Sequence, residues 1–294
     1  MKRKWERDLG LQGRMLFTMF LLAVVYLFFL AFLTYYGTPP VFMILFIGLF
    51  MGIQYFYSDK LVLWTMGAHV VSESEEPQLH GMITRLCAIA DLPKPQVAIV
   101  RTQVPNAFAT GRSPNKAVVA VTTGIMDKLS PAELEAVLAH ELSHVKNRDM
   151  AIMTIASFIS TLAFYFVRYS LYFGNMGGDR KKEGGSILLV WLVSIAVWVV
   201  SFLLIRALSR YREYSADRGA AIITGQPSDL ASALMKISGV MARVPNEDLR
   251  KVEGMNAFFI IPAISGSSIM DIFSTHPSVE KRIARLEKMQ QDMS

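Results

Sequence analysis

Between Met15 and Ser58 the chain carries no charged residue. That run limits the possible folds more than any other stretch, because its apolar residues go all the way round a helix and leave no polar face for water. Gly37-Thr38-Pro39-Pro40 divides it into Leu16–Tyr36 and Val41–Ser58. Each piece is about long enough to cross a hydrocarbon core as a helix. A second pair of spans is expected at 150–172 and 186–206. Thr154, Ser157, Ser160 and Thr161 soften the former; the latter is rich in Leu, Ile, Val and Trp. Buried core helices of a large soluble protein are the alternative, and the all-round apolarity of the first pair argues against them. The first segment is too long for the apolar part of a cleaved leader, and no small-residue cleavage site followed by polar sequence is evident. Composition agrees: 52% of the 294 residues are hydrophobic and 18% charged, where a soluble chain has about one quarter charged.

Lys and Arg placement sets the orientation. Lys2, Arg3, Lys4, Arg7 and Arg14 precede the first span, and the turn at 37–40 has none. The N-terminus is therefore expected in the cytoplasm. Arg180, Lys181 and Lys182 run against this and are partly offset by Asp179 and Glu183. The chain then divides into a tail and hairpin (1–58), a cytoplasmic part (59–149), a second hairpin (150–206) and a second cytoplasmic part (207–294). The net charge of +6 is mostly membrane-flanking. With no nucleic-acid motif and no G-x-x-x-x-G-K-[ST], neither a nucleic acid nor a nucleotide is expected as a partner. One cysteine, Cys87, excludes an intrachain disulfide and reads as a small core hydrophobe.

The chemistry centres on His140-Glu141-Leu142-Ser143-His144. Ser130 suits an N-cap, Pro131 the first helical position and Glu133 a capping box. Leu134, Val137, Leu138 and Leu142 then recur at helical spacing. Histidines four apart on a helix lie about 40° apart around its axis, so both can meet one metal ion, with Glu141 placed to reach a water. No Gly or Pro intervenes before Gly174, so one uninterrupted helix is expected to run from the motif into the third span, with the metal near the membrane surface. The fourth span is likewise expected to continue to Thr224, with Gly225 as its C-cap. This brings Glu213 and Asp217 to the motif helix.

A catalytic zinc takes three protein ligands and an open position. Glu213 is the best third ligand and Asp217 the next. Asp149 and Asp217 are the carboxylates able to orient the histidines through their far nitrogens, and Arg282 can pair with one of them. His276, fixed in Thr275-His276-Pro277, is either an oxyanion donor or a cap before the last helix. His69 and His80 have no partner at ligand spacing and read as structural or solvent-exposed.

Two β-rich runs, 96–100 and 117–123, flank Asn106-Ala107-Phe108-Ala109. Bracketed by Pro105 and Gly111, that segment reads as an edge strand, a template for an extended peptide or simply a covered sheet strand. Further helices are expected at 78–91, 228–240 and 279–289. Residues 243–270 are loop-rich and could cover the site.

The set formed by His140-Glu141-x-x-His144, Glu213-x-x-Ala216-Asp217 and Thr275-His276-Pro277 before Arg282-Ile283 resembles the HtpX-type membrane metalloproteases of the M48 peptidase family, which includes the Ste24 and Oma1 peptidases. The likeness runs over nearly the whole chain. It implies a mainly α membrane protein with four transmembrane helices and a cytoplasmic α+β zincin-type domain. It implies one zinc per chain on His140, His144 and Glu213, Glu141 as catalytic base, His276 stabilising the transition state, and Asn106–Ala109 holding substrate backbone. It further implies cleavage of damaged membrane proteins or unfolded polypeptides at the cytoplasmic face of a bacterial inner membrane, in cooperation with an ATP-dependent membrane protease. Two other readings stand beside it: an intramembrane protease, disfavoured by Lys146-Asn147-Arg148-Asp149 after the histidines, and an inactive scaffold that binds peptides on the edge strand.

Overall fold

The computed structural model describes residues 8–36, 39–154, 156–157, 160–161, 164, 184–241, 260 and 276–293. Most of the expected span at 150–172 lies outside these residues, as do Thr275 and nearly all of 243–270.

Helix α1 (Leu9–Tyr35) starts where the Asp8 side chain accepts the Leu11 N–H. Helix α2 (Pro40–Thr65) starts at a proline, whose missing N–H costs nothing in a first turn. Both cover the first two expected spans. On α1, Leu22, Tyr26, Phe29 and Leu33 pack inward, whereas Leu16, Phe17, Phe20, Leu27 and Phe28 are exposed. Their partner is α6 (Gly184–Thr224), which supplies Val197 and Leu208. Large apolar side chains facing outward along a whole helix suit lipid rather than water. Among the described residues, Leu9–Tyr35 and Leu188–Thr224 are the helices long and apolar enough to cross a membrane, and Ile47–Tyr57 forms a shorter apolar stretch.

The sheet contains β1 (Ala68–Val70), β2 (Gln96–Val100), β3 (Ala107–Thr110) and β4 (Val118–Thr122), in the order β1-β2-β4-β3. β2 and β4 are parallel; β1 and β3 run antiparallel to their neighbours at the two edges. The central strands bury both faces, which is why they read as nearly continuous apolar runs. Val97, Val119 and Val121 meet α3 (Pro77–Ala90) and α5 (Pro131–Asn147), together with α7 (Pro227–Met241) and α8 (Val279–Met293). Ala98, Val118 and Ala120 meet Val62, Leu63 and Met66 at and just after the end of α2. Thus α2 runs past the expected span and covers the second face of the sheet. β1, three residues long, and the short α4 (Thr123–Lys128) carry too little pattern to be anticipated. Cys87 is buried in the core, as expected.

α5 carries the motif. Ser130 Oγ accepts the Glu133 N–H and the Glu133 carboxylate accepts the Ser130 N–H at 2.8 Å, a complete capping box. The expectation of one helix running unbroken into the third span is corrected here. α5 ends at Asn147, and Arg148 adopts a left-handed conformation with φ 56°. Residues 149–154 are helical again. Arg148 closes the helix by donating its N–H to the carbonyls of His144 and Val145, a C-cap that usually recruits glycine. α6, by contrast, runs unbroken for 41 residues to Gly225, whose φ of 75° ends it.

Candidate metal centre

α5 lies against the part of α6 that extends beyond the expected span, and that contact brings His140, His144 and Glu213 together. The His140 and His144 Nε2 atoms are 3.1 Å apart. Glu213 Oε1 is 3.4 Å from His144 Nε2, and Oε2 is 3.5 Å from His140 Nε2. A tetrahedral ion with bonds of about 2.0–2.1 Å spaces its ligand atoms by about 3.3–3.4 Å. Asp217, the other third-ligand option, is turned to the far side of His140: its Oδ1 is 3.0 Å from Nδ1.

The protons of the imidazoles follow from their partners. His144 Nδ1 lies 2.6 Å from Asp149 Oδ2, and His140 Nδ1 faces Asp217. A neutral imidazole that donates Nδ1–H to a carboxylate carries its lone pair on Nε2. Two lone pairs and a carboxylate therefore converge on one point, an arrangement that repels itself unless a cation sits there. Glu213 Oε2 is buried and has only contacts of 3.2–3.5 Å, to His276, Arg282 and His140, with none of strong hydrogen-bond geometry, which leaves it able to serve a cation.

Charge makes the same demand. Glu141, Asp149, Glu213 and Asp217 are all buried, as are Arg212 and Arg282. Counted as ionised, four carboxylates face two guanidiniums, and a divalent cation matches the difference. The same carboxylates raise the proton affinity of the histidines. Burial opposes a charged His144, but its bonds to Asp149 and Glu213 outweigh this and push its pKa up to about 10. Burial likewise opposes charge on His140, while Asp217 and Glu213 raise its pKa. For Glu213 burial raises the pKa, yet His276, His140 and His144 hold it well below the usual carboxylate range. Glu141 goes the other way. Burial raises its pKa, only partly offset by the two histidines and a bond from the Ala109 backbone. A carboxylate with raised proton affinity suits a proton acceptor.

Arg282 is 1% exposed. Located in the first turn of α8, it forks onto Asp217 with Nε at 2.9 Å and Nη2 at 2.6 Å, and donates from Nη1 to the Ile260 carbonyl at 2.8 Å. Nη1 is also 3.3 Å from Glu213 Oε2. His276 arrives from the same end of the chain, with Nδ1 3.2 Å from Glu213 Oε2. The ligand set, Glu141, His276 and Ala107–Ala109 line one pocket of about 50 Å³, room for a water or a carbonyl group.

β3 is an edge strand, as its flanks suggested. Thr122 N–H bonds the Asn106 carbonyl, which places the even-numbered residues of this strand in the hydrogen-bonded pairs with β4. The backbone of Ala107 and Ala109 thus faces away from β4, toward the motif helix, and Ala109 reaches Glu141. Asn106 is engaged otherwise: its Oδ1 accepts the Ile260 N–H at 3.1 Å. His80, read from the sequence as structural or solvent-exposed, is buried with Nε2 3.1 Å from the Val71 carbonyl.

Two participants were not foreseen. Arg212 Nε lies 3.3 Å from Asp149 Oδ1, and the residue also lines the pocket. In sequence it belongs to an ordinary basic flank of a span. The available signal was indirect: a buried Asp149 needs a cation. Ile260 acts through its backbone, joining Asn106 to Arg282, and backbone groups leave no residue-type signal.

The description Peptidase family M48 matches residues 73–290 of this chain. The chain is 86% identical, over the full length of both, to the protein described as Protease HtpX homolog 2 of Methanosarcina acetivorans. It is 58% identical to Protease HtpX homolog of Moorella thermoacetica, covering 100% of this chain and 99% of that one. Among solved structures it resembles Ste24p of S. mikatae, with TM-score 0.55 and 16% identity, over 95% of this chain and 67% of that one. The last likeness concerns the fold alone.

Proposed function

This chain belongs to peptidase family M48 and is an HtpX-type membrane metalloprotease; from that premise we propose that it is a zinc-dependent endopeptidase acting on membrane proteins at the cytoplasmic face of the cell membrane. The observation that carries the reading is the convergence of His140 Nε2, His144 Nε2 and the Glu213 carboxylate at 3.1–3.5 Å. This donor set of two imidazoles and one carboxylate favours zinc over harder cations. These three residues would hold one zinc per chain, which when bound would supply Lewis acidity and an acidified water.

The remaining work falls to the chain. Glu141, adjacent to His140 and desolvated, takes the proton from the attacking water and passes it to the departing amine. His276 offers an imidazole donor to the oxygen that gains charge when the carbonyl is attacked. The outward backbone of Ala107 and Ala109 pairs with an extended substrate as one more strand. Asp149 and Asp217 orient the histidines, and Arg212 and Arg282 orient those carboxylates in turn. Four crossings place 59–149 and 207–294 on the cytoplasmic side, beside misfolded or damaged membrane proteins. Cooperation with an ATP-dependent membrane protease fits the same proposal, since the chain carries no nucleotide motif of its own.

The test is Glu141→Gln in detergent-purified protein. Bound zinc should remain near one per chain while casein cleavage and self-cleavage cease. Cleavage that persists in this variant, or wild-type cleavage that survives chelation, would overturn the reading.

A further inference from the structure

One face of α2 belongs neither to the catalytic pocket nor to the sheet contact. Gly48, Gly52, Ile53, Phe56, Lys60 and Arg112 line a groove of about 510 Å³ there. The α2 members recur at helical spacing, so they form one stripe along the helix. Its length from Gly48 to Lys60 is about 18 Å at 1.5 Å per residue, a little more than half of a ~30 Å hydrocarbon core. Gly48 and Gly52 leave its floor open: among the described residues, a Cβ on either would meet no atom within 4 Å. The stripe is apolar along its length and ends in two cations. The Arg112 guanidinium lies 4.9 Å from the Phe56 ring centroid, Lys60 Nζ is 6.0 Å from that of Tyr57, and among the described residues no carboxylate lines the groove. Lys60 follows the expected end of the span at Ser58, the depth at which lipid phosphates lie.

A hydrocarbon slot closed by two cations at the headgroup level is complementary to an anionic amphiphile. We propose that this groove binds one anionic membrane phospholipid, its chain along Gly48–Phe56 and its phosphate between Lys60 and Arg112. The proposal rests on the reading of α2 as a membrane span. A second apolar helix packed on Gly48 and Gly52 is the competing occupant; it would bring no negative charge to the two cations at the groove's end, whereas a phosphate does. The site also touches the catalytic region. Arg112 follows β3 across Gly111, whose φ is 124° and where a Cβ would collide with the Lys116 carbonyl, so the turn between the lipid clamp and the edge strand is fixed. Tyr55 adds a tie, donating from its hydroxyl to the Arg112 carbonyl at 3.4 Å.

The experiment uses the full chain in nanodiscs of equal phosphatidylglycerol and phosphatidylcholine, with lipid retained after release read by native mass spectrometry. Wild type should keep one phosphatidylglycerol in preference to phosphatidylcholine. Lys60→Gln with Arg112→Gln should reduce that preference by about tenfold or more, since each membrane-proximal cation contributes severalfold in partitioning. Gly52→Leu, which fills the groove without touching either charge, should abolish retention of the lipid. Equal retention by all three proteins would overturn the proposal, as would a Gly52→Leu variant that keeps its lipid but changes oligomeric state. Zinc content and casein cleavage of the same wild-type preparation report on the protease reading separately.

Discussion

Asp149 is 0% exposed, yet it holds His144 on one oxygen and faces Arg212 with the other. Its charge is tolerable only because both partners are present. Asp149→Asn keeps the shape but removes the negative charge that favours Nδ1–H on His144. Zinc affinity, measured by competition with a chromophoric chelator, should fall by about 10–100-fold. Arg212→Gln should weaken zinc binding in the same direction. The double variant should lose less than the product of the two, because both act through one carboxylate. Strict additivity would mean that Arg212 acts on the pocket independently. Residue types made part of this legible beforehand. A zinc-binding histidine calls for a carboxylate, and a buried carboxylate calls for a cation, which singled out Asp149, Asp217 and Arg282. Arg212 escaped because neighbours along a helix point in different directions, and only the packed position of α6 shows that it turns toward Asp149 while Glu213 turns toward His140 and His144.

At the level of elements, α5 was legible at its start and not at its end. Ser130, Pro131 and Glu133 state an N-terminus in their own chemistry. Arg148 does not state a C-terminus, because no residue-type signal marks a left-handed residue other than glycine; directly after the break the Asp149 carboxylate meets His144. Arg148→Gly should therefore stabilise the turn locally, by up to about 1 kcal/mol, since glycine adopts this φ at no steric cost. Glu133 gives a test at the other end. Besides capping α5 it accepts bonds from Ser232 at 2.6 Å and Lys236 at 2.7 Å on α7. Burial raises its pKa, but Lys236, Ser232 and Ser130 outweigh this and lower it from 4.5 to about 2. A depressed folded-state pKa means a contribution that is complete above about pH 4.5 and lost as pH falls toward 2. The upper figure is about 3 kcal/mol, reduced because Lys236 is half exposed. Thermal unfolding of Glu133→Gln in detergent should show its largest deficit against wild type near neutral pH, and the two curves should converge as pH approaches 2. A deficit that persists there would mean that Glu133 acts by packing rather than by charge.

For the whole molecule, the order of the chain explains why one half of the site could be located from the other. The expectation that paired spans extend beyond the bilayer side by side put the helix bearing Glu213 next to the one bearing the histidines, and α5 does pack on α6. What stayed illegible was the sheet's dependence on α2. α2 reads from the sequence as an anchor, but Val62, Leu63 and Met66 close one face of the sheet, so α2 and the sheet share a core. That coupling keeps the end of α2 on the same side as the sheet, because β1 follows α2 almost directly and joins that sheet. The single native cysteine is 3% exposed and so makes little background for thiol labelling. With a membrane-impermeant maleimide on intact cells, Thr38→Cys and Gly178→Cys should label from outside, whereas Ser74→Cys should label only after lysis. Reversed labelling would invert the orientation and put the metal centre outside. Labelling of Thr38→Cys and Ser74→Cys from the same side would mean that α2 does not cross, which would remove both the four-span arrangement and the membrane depth assigned to Lys60.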